Sequence, residues 1–177
     1  EVIMLDVGDP DFRTPEPIID NAVSYLRVGR THYSPALGEL KFRRAVADLE
    51  TQTSPHRCSA EEVAIFPGAT NAIHAVMSCL LDPGDEIVIP EPMYVGYLPL
   101  MRCLDANVKT VPLDARAGFA LDVATVKAAF TDKTRVLFLN TPGNPTGTII
   151  SKNKLRELGE FCYQRGVWLV CDEVYSM

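Results

Sequence analysis

The chain has 177 residues, a length that suits one domain or slightly more, because domains commonly contain about 100–200 residues. Hydrophobic residues make up 47% of it and charged residues 23%, which excludes a disordered or collagen-like chain. With 23 acidic and 17 basic side chains the formal charge is −6, and no basic run offers a surface for nucleic acid or for an anionic membrane.

The first 60 residues are predicted to form an arm and two helices. Prolines at 10, 15 and 17 indicate an extended, turning segment over residues 5–17. Apolar residues at helical spacing then predict one helix over residues 17–28 and a second one from about Gly38 to Glu50.

From residue 61 onwards, short apolar runs alternate with segments of helical periodicity. The predicted strands are Val63–Phe66, Glu86–Ile89, Val108–Val111, Arg135–Leu139 and Val167–Cys171. The helices predicted between them are Asn71–Leu81, Tyr94–Leu104, Val123–Phe130 and Lys152–Arg165. Strands that are apolar throughout and alternate with helices predict an α/β fold with a parallel sheet covered on both faces. Ligands of such sheets bind beyond the carboxyl ends of the strands, so the residues that follow each strand are the candidates for a site.

The five cysteines are widely separated and include no CxxC pair, and the three histidines do not stand at metal-ligand spacing from them. This pattern predicts reduced thiols in a cytoplasmic protein and no metal site.

Two segments supply groups for a flat, anionic ligand. Gly68, Ala69 and Thr70 follow the first predicted strand and open a helix, whose free amides and positive dipole end form an anion site. Tyr94 follows the second strand, at the first turn of the next predicted helix, where its ring can stack on a ligand. An ordinary strand-to-helix turn and a tyrosine that caps the core are the alternatives.

Two further segments supply a neutral donor and a carboxylate. Asn144 follows the fourth predicted strand, within turn residues that either direct its amide into the crevice or form a simple turn, and the bond to Pro145 is a candidate for the cis form. Asp172 follows the fully apolar fifth strand. Placing a carboxylate there costs free energy of desolvation unless it meets a cation or strong donors. It is either a helix N-cap or the partner of a cationic ligand atom.

These residues place four groups at one edge of the sheet: an anion site, a ring for stacking, a neutral donor and a carboxylate. Together these groups fit a flat, phosphorylated ligand with a protonated ring nitrogen. Pyridoxal 5'-phosphate has this chemistry, and its binding sites pair the pyridinium nitrogen with an Asp.

At these residues the chain resembles the fold-type I, aspartate-aminotransferase-like family of pyridoxal-phosphate enzymes, aminotransferase class I and II. The segments that carry the resemblance are Val7–Phe12, Tyr33–Pro35, Gly68–Thr70, Pro92–Tyr94, Asn144–Gly147 and Asp172–Tyr175. Those around residues 8–12, 91–95 and 172–176 are similar to the subgroup that includes arginine–pyruvate and broad-specificity aspartate or aromatic transaminases. The resemblance implies an incomplete three-layer α/β/α large domain over residues 36–177. Residues 1–35 would be the N-terminal arm and the start of the small-domain and lid region.

The resemblance also implies the roles of the residues around the cofactor ring. Asp172 would bind the ring nitrogen and keep it protonated, and Asn144 and Tyr175 would hydrogen-bond the phenolic oxygen. Asp172 and Tyr175 are thus the expected catalytic residues. Tyr94 would stack on the ring.

The remaining roles concern the phosphate and the substrate. The turn at Gly68, Ala69 and Thr70 would hold the phosphate, together with Tyr33 donated to it from a partner subunit. Gly8 would lie near the substrate carboxylate, to which Asn144 would also bind.

The implied function is a pyridoxal-phosphate-dependent aminotransferase, a cytoplasmic homodimer that moves an amino group from an amino acid to a 2-oxo acid by a ping-pong mechanism. The family's Schiff-base lysine follows the Asp172 motif, whereas the six lysines of this chain all precede it. The chain by itself is therefore expected to be an inactive fragment. The alternatives are a pyridoxal-phosphate-dependent C–S lyase or decarboxylase of the same fold, and a truncated non-catalytic homologue.

Overall fold

The computed structural model describes Ile3 and residues 8–176 and divides into two compact units, Glu1–Ala64 and Ile65–Met177. Apart from Ile3, the predicted extended segment before residue 8 lies outside the described residues. No helix in the described part of the chain is both long enough and apolar enough to cross a membrane.

The first unit contains two helices, α1 (Glu16–Arg27) and α2 (Leu40–Thr53), which confirms both predictions. A proline is tolerated in the first turn of a helix because the first N–H groups have no partner there, and Pro17 occupies that place in α1. Arg43 of α2 donates to the carbonyl oxygens of Gly38 at 3.2 Å and Ala60 at 2.6 Å. These bonds attach α2 to the segments on either side of it.

The second unit is an α/β structure with four parallel strands. In chain order it contains α3 (Ala69–Leu80), β1 (Glu86–Glu91), α4 (Tyr97–Arg102), β2 (Asn107–Pro112), α5 (Val123–Ala128), β3 (Thr134–Asn140), α6 (Lys152–Arg165) and β4 (Trp168–Asp172). The strand order is β2-β1-β3-β4, so the chain moves outward from β1 to β2 and then returns to the other side of β1. The order of strands therefore reverses between β1 and β3.

Successive residues of the central strands belong to different cores. Ile87 and Phe138 pack beneath α3 and α4, whereas Val88 and Leu137 pack beneath α5 and α6. All four side chains are fully buried. Side chains alternate between the faces of a sheet, so strands covered on both faces must be apolar at every position. The predicted parallel sheet in a three-layer α/β/α arrangement is confirmed.

The predicted strand Val63–Phe66 is wrong. These residues pair with no strand in the described part of the chain, and the sheet there has four strands instead of five. The N–H of Gly68 donates to the carbonyl of Phe66 at 2.9 Å, so the chain turns directly after this segment and enters α3. An apolar run becomes a strand only where a neighbouring strand accepts its backbone hydrogen bonds.

The predicted start of α4 is also wrong, because the helix begins at Tyr97 and not at Tyr94. Pro99 explains the difference: it lacks an N–H and is tolerated only in the first turn of a helix. In a helix that began at Tyr94, Pro99 would lie in the interior. Tyr94 consequently stands in the turn before α4.

Candidate functional site

Asp172 is the last residue of β4, and its carboxylate is held by two donors of the chain. The hydroxyl of Tyr97 donates to Oδ2 at 2.6 Å, and the N–H of Val174 donates to Oδ1 at 3.0 Å. None of the ion pairs among residues 8–176 involves Asp172. Both oxygens therefore have one neutral donor, and the described chain supplies no cationic partner.

Tyr97 fixes this carboxylate from a buried position in α4. Its ring makes edge contacts with Phe138 at a centroid distance of 4.8 Å and with Tyr94 at 5.4 Å. Burial raises the pKa of Tyr97 far above its ordinary value, and the hydrogen bond to Asp172 raises it further. Tyr97 thus stays protonated and remains a donor. It was not among the predicted site residues, although an aromatic residue three positions after Tyr94 was a usable signal.

Asn140, the last residue of β3, joins the two strand ends. Its Nδ2 donates to the carbonyl oxygen of Asp172 at 3.0 Å, and its Oδ1 accepts from the N–H of Asn144 at 2.7 Å. Asn140 was not among the predicted site residues either. The signal was available, because a polar side chain that ends an apolar strand is the same pattern that identified Asp172.

Asn144 and Tyr175 lie together, as their predicted shared role requires. Nδ2 of Asn144 donates to the hydroxyl oxygen of Tyr175 at 3.0 Å. Because that oxygen acts as the acceptor, the hydroxyl proton of Tyr175 is available for another partner, and so is the second amide proton of Asn144. The pair can offer two adjacent donors to one oxygen of a ligand. The peptide bond between Asn144 and Pro145 is cis.

A cavity of about 180 Å³ lies beyond the carboxyl ends of β1 and β3. Its lining is mostly apolar, with polar groups from Asn140, Asn144 and Lys154. The Nζ of Lys154 donates to the carbonyl of Leu121 at 2.6 Å, which gives the ammonium group one acceptor within that wall. The cavity shares Asn144 with the predicted site residues, but Asp172, Tyr175, Tyr94 and the turn at residues 68–70 are not among its lining residues.

The candidate phosphate turn stands at the start of α3, which packs against β4. Gly68 has a φ of +96°, a conformation that favours glycine, and Ala69 is the first residue of the helix. The first amides of this 12-residue helix have no intrahelical partner. Gly68, Ala69 and Thr70 are all exposed, so these donors are accessible to an anion.

Three predicted site residues remain: Tyr94 in the second unit, and Tyr33 and Gly8 in the first. Tyr94 is 41% exposed and contacts Tyr97 through a ring edge, which leaves part of its ring accessible. Tyr33 and Gly8 belong to the first unit, where both are exposed.

Pyridoxal phosphate fits the donor set of the second unit. A carboxylate offers about four acceptor positions, and two of those on Asp172 are occupied, so a protonated ring nitrogen can be accommodated. The Asn144–Tyr175 pair suits an anionic phenolic oxygen, and the free amides of α3 suit a phosphate. Asp172 is thus opposite in charge to the ring nitrogen, and the groups that face the two anionic parts of the ligand are neutral hydrogen-bond donors.

Comparison with known proteins shows similarity along the whole chain. Residues 1–177 match the family aminotransferase class I and II. The chain is 39% identical over 176 residues to the arginine–pyruvate transaminase of Pseudomonas aeruginosa and 33% identical to a probable aspartate/prephenate aminotransferase of Aquifex aeolicus. Each alignment covers 99% of this chain and 45% of the relative.

Solved structures give the same result. An aspartate aminotransferase of Thermotoga maritima matches with a TM-score of 0.93 and 30% identity, over 98% of this chain and 46% of that one. A mutant of the Thermus thermophilus aspartate aminotransferase matches with a TM-score of 0.91 and 32% identity, over 96% and 47% of the two chains. The chain therefore spans about half the length of the relatives that it matches.

Proposed function

The chain belongs to the aminotransferase class I and II family, and on this basis we propose that the whole protein is a pyridoxal-phosphate-dependent aminotransferase that moves an amino group from an amino acid to a 2-oxo acid by a ping-pong mechanism. Relatives named as arginine–pyruvate and aspartate/prephenate transaminases support the reaction class. The observation that carries the proposal is the Asp172 carboxylate, held by two neutral donors at the carboxyl edge of the sheet.

Asp172 holds a proton on the ring nitrogen. The carboxylate is oriented from both sides, by the hydroxyl of Tyr97 and the N–H of Val174, and an anion beside a ring nitrogen favours its protonated form. When bound, pyridoxal phosphate supplies an electron-withdrawing ring that stabilises negative charge on the carbon attached to the amino group. Asp172 makes the ring more effective in that function because it maintains the positive charge.

The other residues bind and orient. Asn144 and Tyr175 hydrogen-bond the phenolic oxygen through the two donors that their mutual contact leaves available. Tyr94 stacks on the ring, and the turn at Gly68, Ala69 and Thr70 binds the phosphate.

We also infer a homodimer in which Tyr33 reaches the phosphate in the partner subunit and Gly8 lies near the substrate carboxylate, to which Asn144 also binds. In this proposal residues 1–35 form the arm and the start of the lid region, and residues 36–177 form part of the cofactor domain. The cytoplasmic location, and the inactivity of these 177 residues without a Schiff-base lysine, stay predictions.

The dependence of turnover on a 2-oxo acid tests the reaction class. The whole protein is incubated with pyridoxal phosphate and with arginine, aspartate or phenylalanine as amino donor, in the presence and absence of pyruvate or 2-oxoglutarate. The proposal predicts one new amino acid for each oxo acid consumed and no sustained turnover without the oxo acid. Sustained product formation without an oxo acid would instead identify a lyase or decarboxylase, and no turnover with any donor would indicate a non-catalytic homologue.

A further inference from the structure

The ring of Tyr94 folds back over Gly96. The N–H of Tyr97 donates to the carbonyl of Tyr94 at 3.1 Å, which closes a turn over residues 94–97. A Cβ atom built at Gly96 would lie 2.5 Å from Cε1 of Tyr94 and 3.2 Å from Cδ1 and Cζ. Two carbon atoms attract each other best at about 3.5–4.0 Å. Any side chain at position 96 must therefore displace the ring.

The backbone does not explain why this position is a glycine. Gly96 has φ −72° and ψ −19°, which lie in the right-handed helical region that every residue adopts. This distinguishes it from Gly68, whose φ of +96° favours glycine for conformational reasons. The Tyr94 ring fills the space that a side chain at position 96 would occupy, so this turn requires a residue without a side chain.

The Tyr94 ring is held on a second side by Tyr97. The two rings meet edge to face at a centroid distance of 5.4 Å. Tyr97 itself is only 4% exposed and is anchored through its hydroxyl to Asp172. The position of the Tyr94 ring is thus linked through one side chain to the carboxylate that is proposed to bind the ring nitrogen.

We propose that Gly96 is a positioning residue: its missing side chain gives the Tyr94 ring the place from which it stacks on the cofactor. This inference rests on the proposed function, in which Tyr94 is the stacking residue. Gly96 itself need not touch the cofactor.

The test is the affinity of the whole protein for pyridoxal 5'-phosphate, measured by equilibrium titration of the cofactor-free protein. We expect Gly96→Ala to weaken binding by about 2- to 10-fold, the range that corresponds to losing an aromatic contact. Gly159→Ala is the matched control, since its Cβ would lie 3.8 Å from Cδ2 of Leu169, an ordinary contact, and should leave the affinity unchanged. In a Tyr94→Ala background, Gly96→Ala should have no further effect, because no ring remains to be displaced.

A second readout follows the ring without cofactor. In fluorotyrosine-labelled protein, with the Tyr94 signal assigned by Tyr94→Phe, Gly96→Ala should shift the fluorine resonance of Tyr94 and Gly159→Ala should not. An unshifted Tyr94 signal, an unchanged affinity, or an equal loss of affinity in the Tyr94→Ala background would each overturn the role of Gly96. If the unsubstituted protein binds no pyridoxal phosphate, the proposed function fails as well, and this outcome is distinct from the other three.

Discussion

At the scale of single residues, the hydroxyl of Tyr97 is the side-chain donor that orients the carboxylate of Asp172. It reaches the carboxylate from a helix on one face of the sheet, at 2.6 Å. Its high pKa, caused first by burial and then by the carboxylate, ensures that the group acts as a donor and not as a second anion.

Replacing Tyr97 with Phe should lower the free energy of unfolding by about 1.5–3 kcal/mol, because it removes a hydrogen bond to a charged group while the ring packing is kept. Urea unfolding at neutral pH measures this change. Tyr163→Phe is the control, since that side chain is 88% exposed and should give no shift of the midpoint. Equal midpoints for the two variants would show that the Tyr97 hydroxyl does not stabilise the fold.

Of the two site residues that were not predicted, Asn140 ends an apolar strand as Asp172 does, whereas Tyr97 acts through a long-range contact. Asp172 and Asn144 were identified because they follow apolar strands, and the end of an apolar run can be read directly from the sequence. The bond between Tyr97 and Asp172 joins residues 75 positions apart. It depends on which face of the sheet α4 covers, and the sequence does not specify that face.

At the scale of elements, α5 begins with a side-chain cap. Asp122 accepts hydrogen bonds at Oδ2 from the hydroxyl of Thr125 at 2.6 Å and from its N–H at 2.9 Å. The hydroxyl, followed by the N–H, holds the pKa of Asp122 below its ordinary value of 3.8. Since the folded state binds the proton less readily than the unfolded one, the cap stabilises the protein above that value, and its contribution disappears as the pH falls through the lowered pKa.

Asp122→Asn should remove this pH dependence while it keeps a good N-cap, because asparagine caps helices well but does not titrate. Urea midpoints at about pH 5 and about pH 3 test this. Acidification should destabilise the unsubstituted protein more than the variant. If both lose the same stability over this range, the cap does not depend on the charge of Asp122.

A half-buried ion pair lies near the start of β1. Glu86, at the start of β1, is 8% exposed, lies 3.2 Å from Nζ of Lys109 in the neighbouring strand β2, and also accepts from the hydroxyl of Thr131. Its carboxylate is therefore held by one cation and one neutral donor.

Lys109→Met should lower the free energy of unfolding by about 1–3 kcal/mol, because it leaves the Glu86 carboxylate buried without its cation. Lys133→Met is the matched control, since Lys133 is exposed and forms none of the ion pairs in the described part of the chain. Thermal or urea unfolding of both variants measures the difference. A Lys109→Met protein as stable as the control would contradict a stabilising role for the pair.

The predictions of elements succeeded where burial on both faces left an uninterrupted apolar run, as in residues 136–139 of the predicted strand Arg135–Leu139. They failed where a proline fixed the start of a helix and where an apolar segment had no neighbouring strand with which to pair. Pro99 moves the start of α4 to Tyr97, a constraint already present in the sequence. The segment Val63–Phe66 lacks a neighbouring strand, and pairing is a long-range property that a single apolar run does not reveal.

At the scale of the whole molecule, the sheet topology brings the candidate site residues of the second unit to one edge of the sheet. Because the strands are parallel, the segments that follow β1, β3 and β4 leave from the same edge, and the reversal of strand order between β1 and β3 opens a crevice there. One hydrogen-bonded series connects Tyr97, Asp172, Asn140, Asn144 and Tyr175 there. We propose that this edge binds a cationic ring nitrogen through Asp172.

The most direct measurement is the affinity of the whole protein for pyridoxal 5'-phosphate after Asp172→Asn, compared with the exposed neighbour Glu173→Gln. Loss of a hydrogen bond between two charged groups should weaken binding by about 10-fold or more. Glu173→Gln should bind as the unsubstituted protein does. An Asp172→Asn protein that binds pyridoxal phosphate with unchanged affinity would contradict the proposed contact between Asp172 and the ring nitrogen.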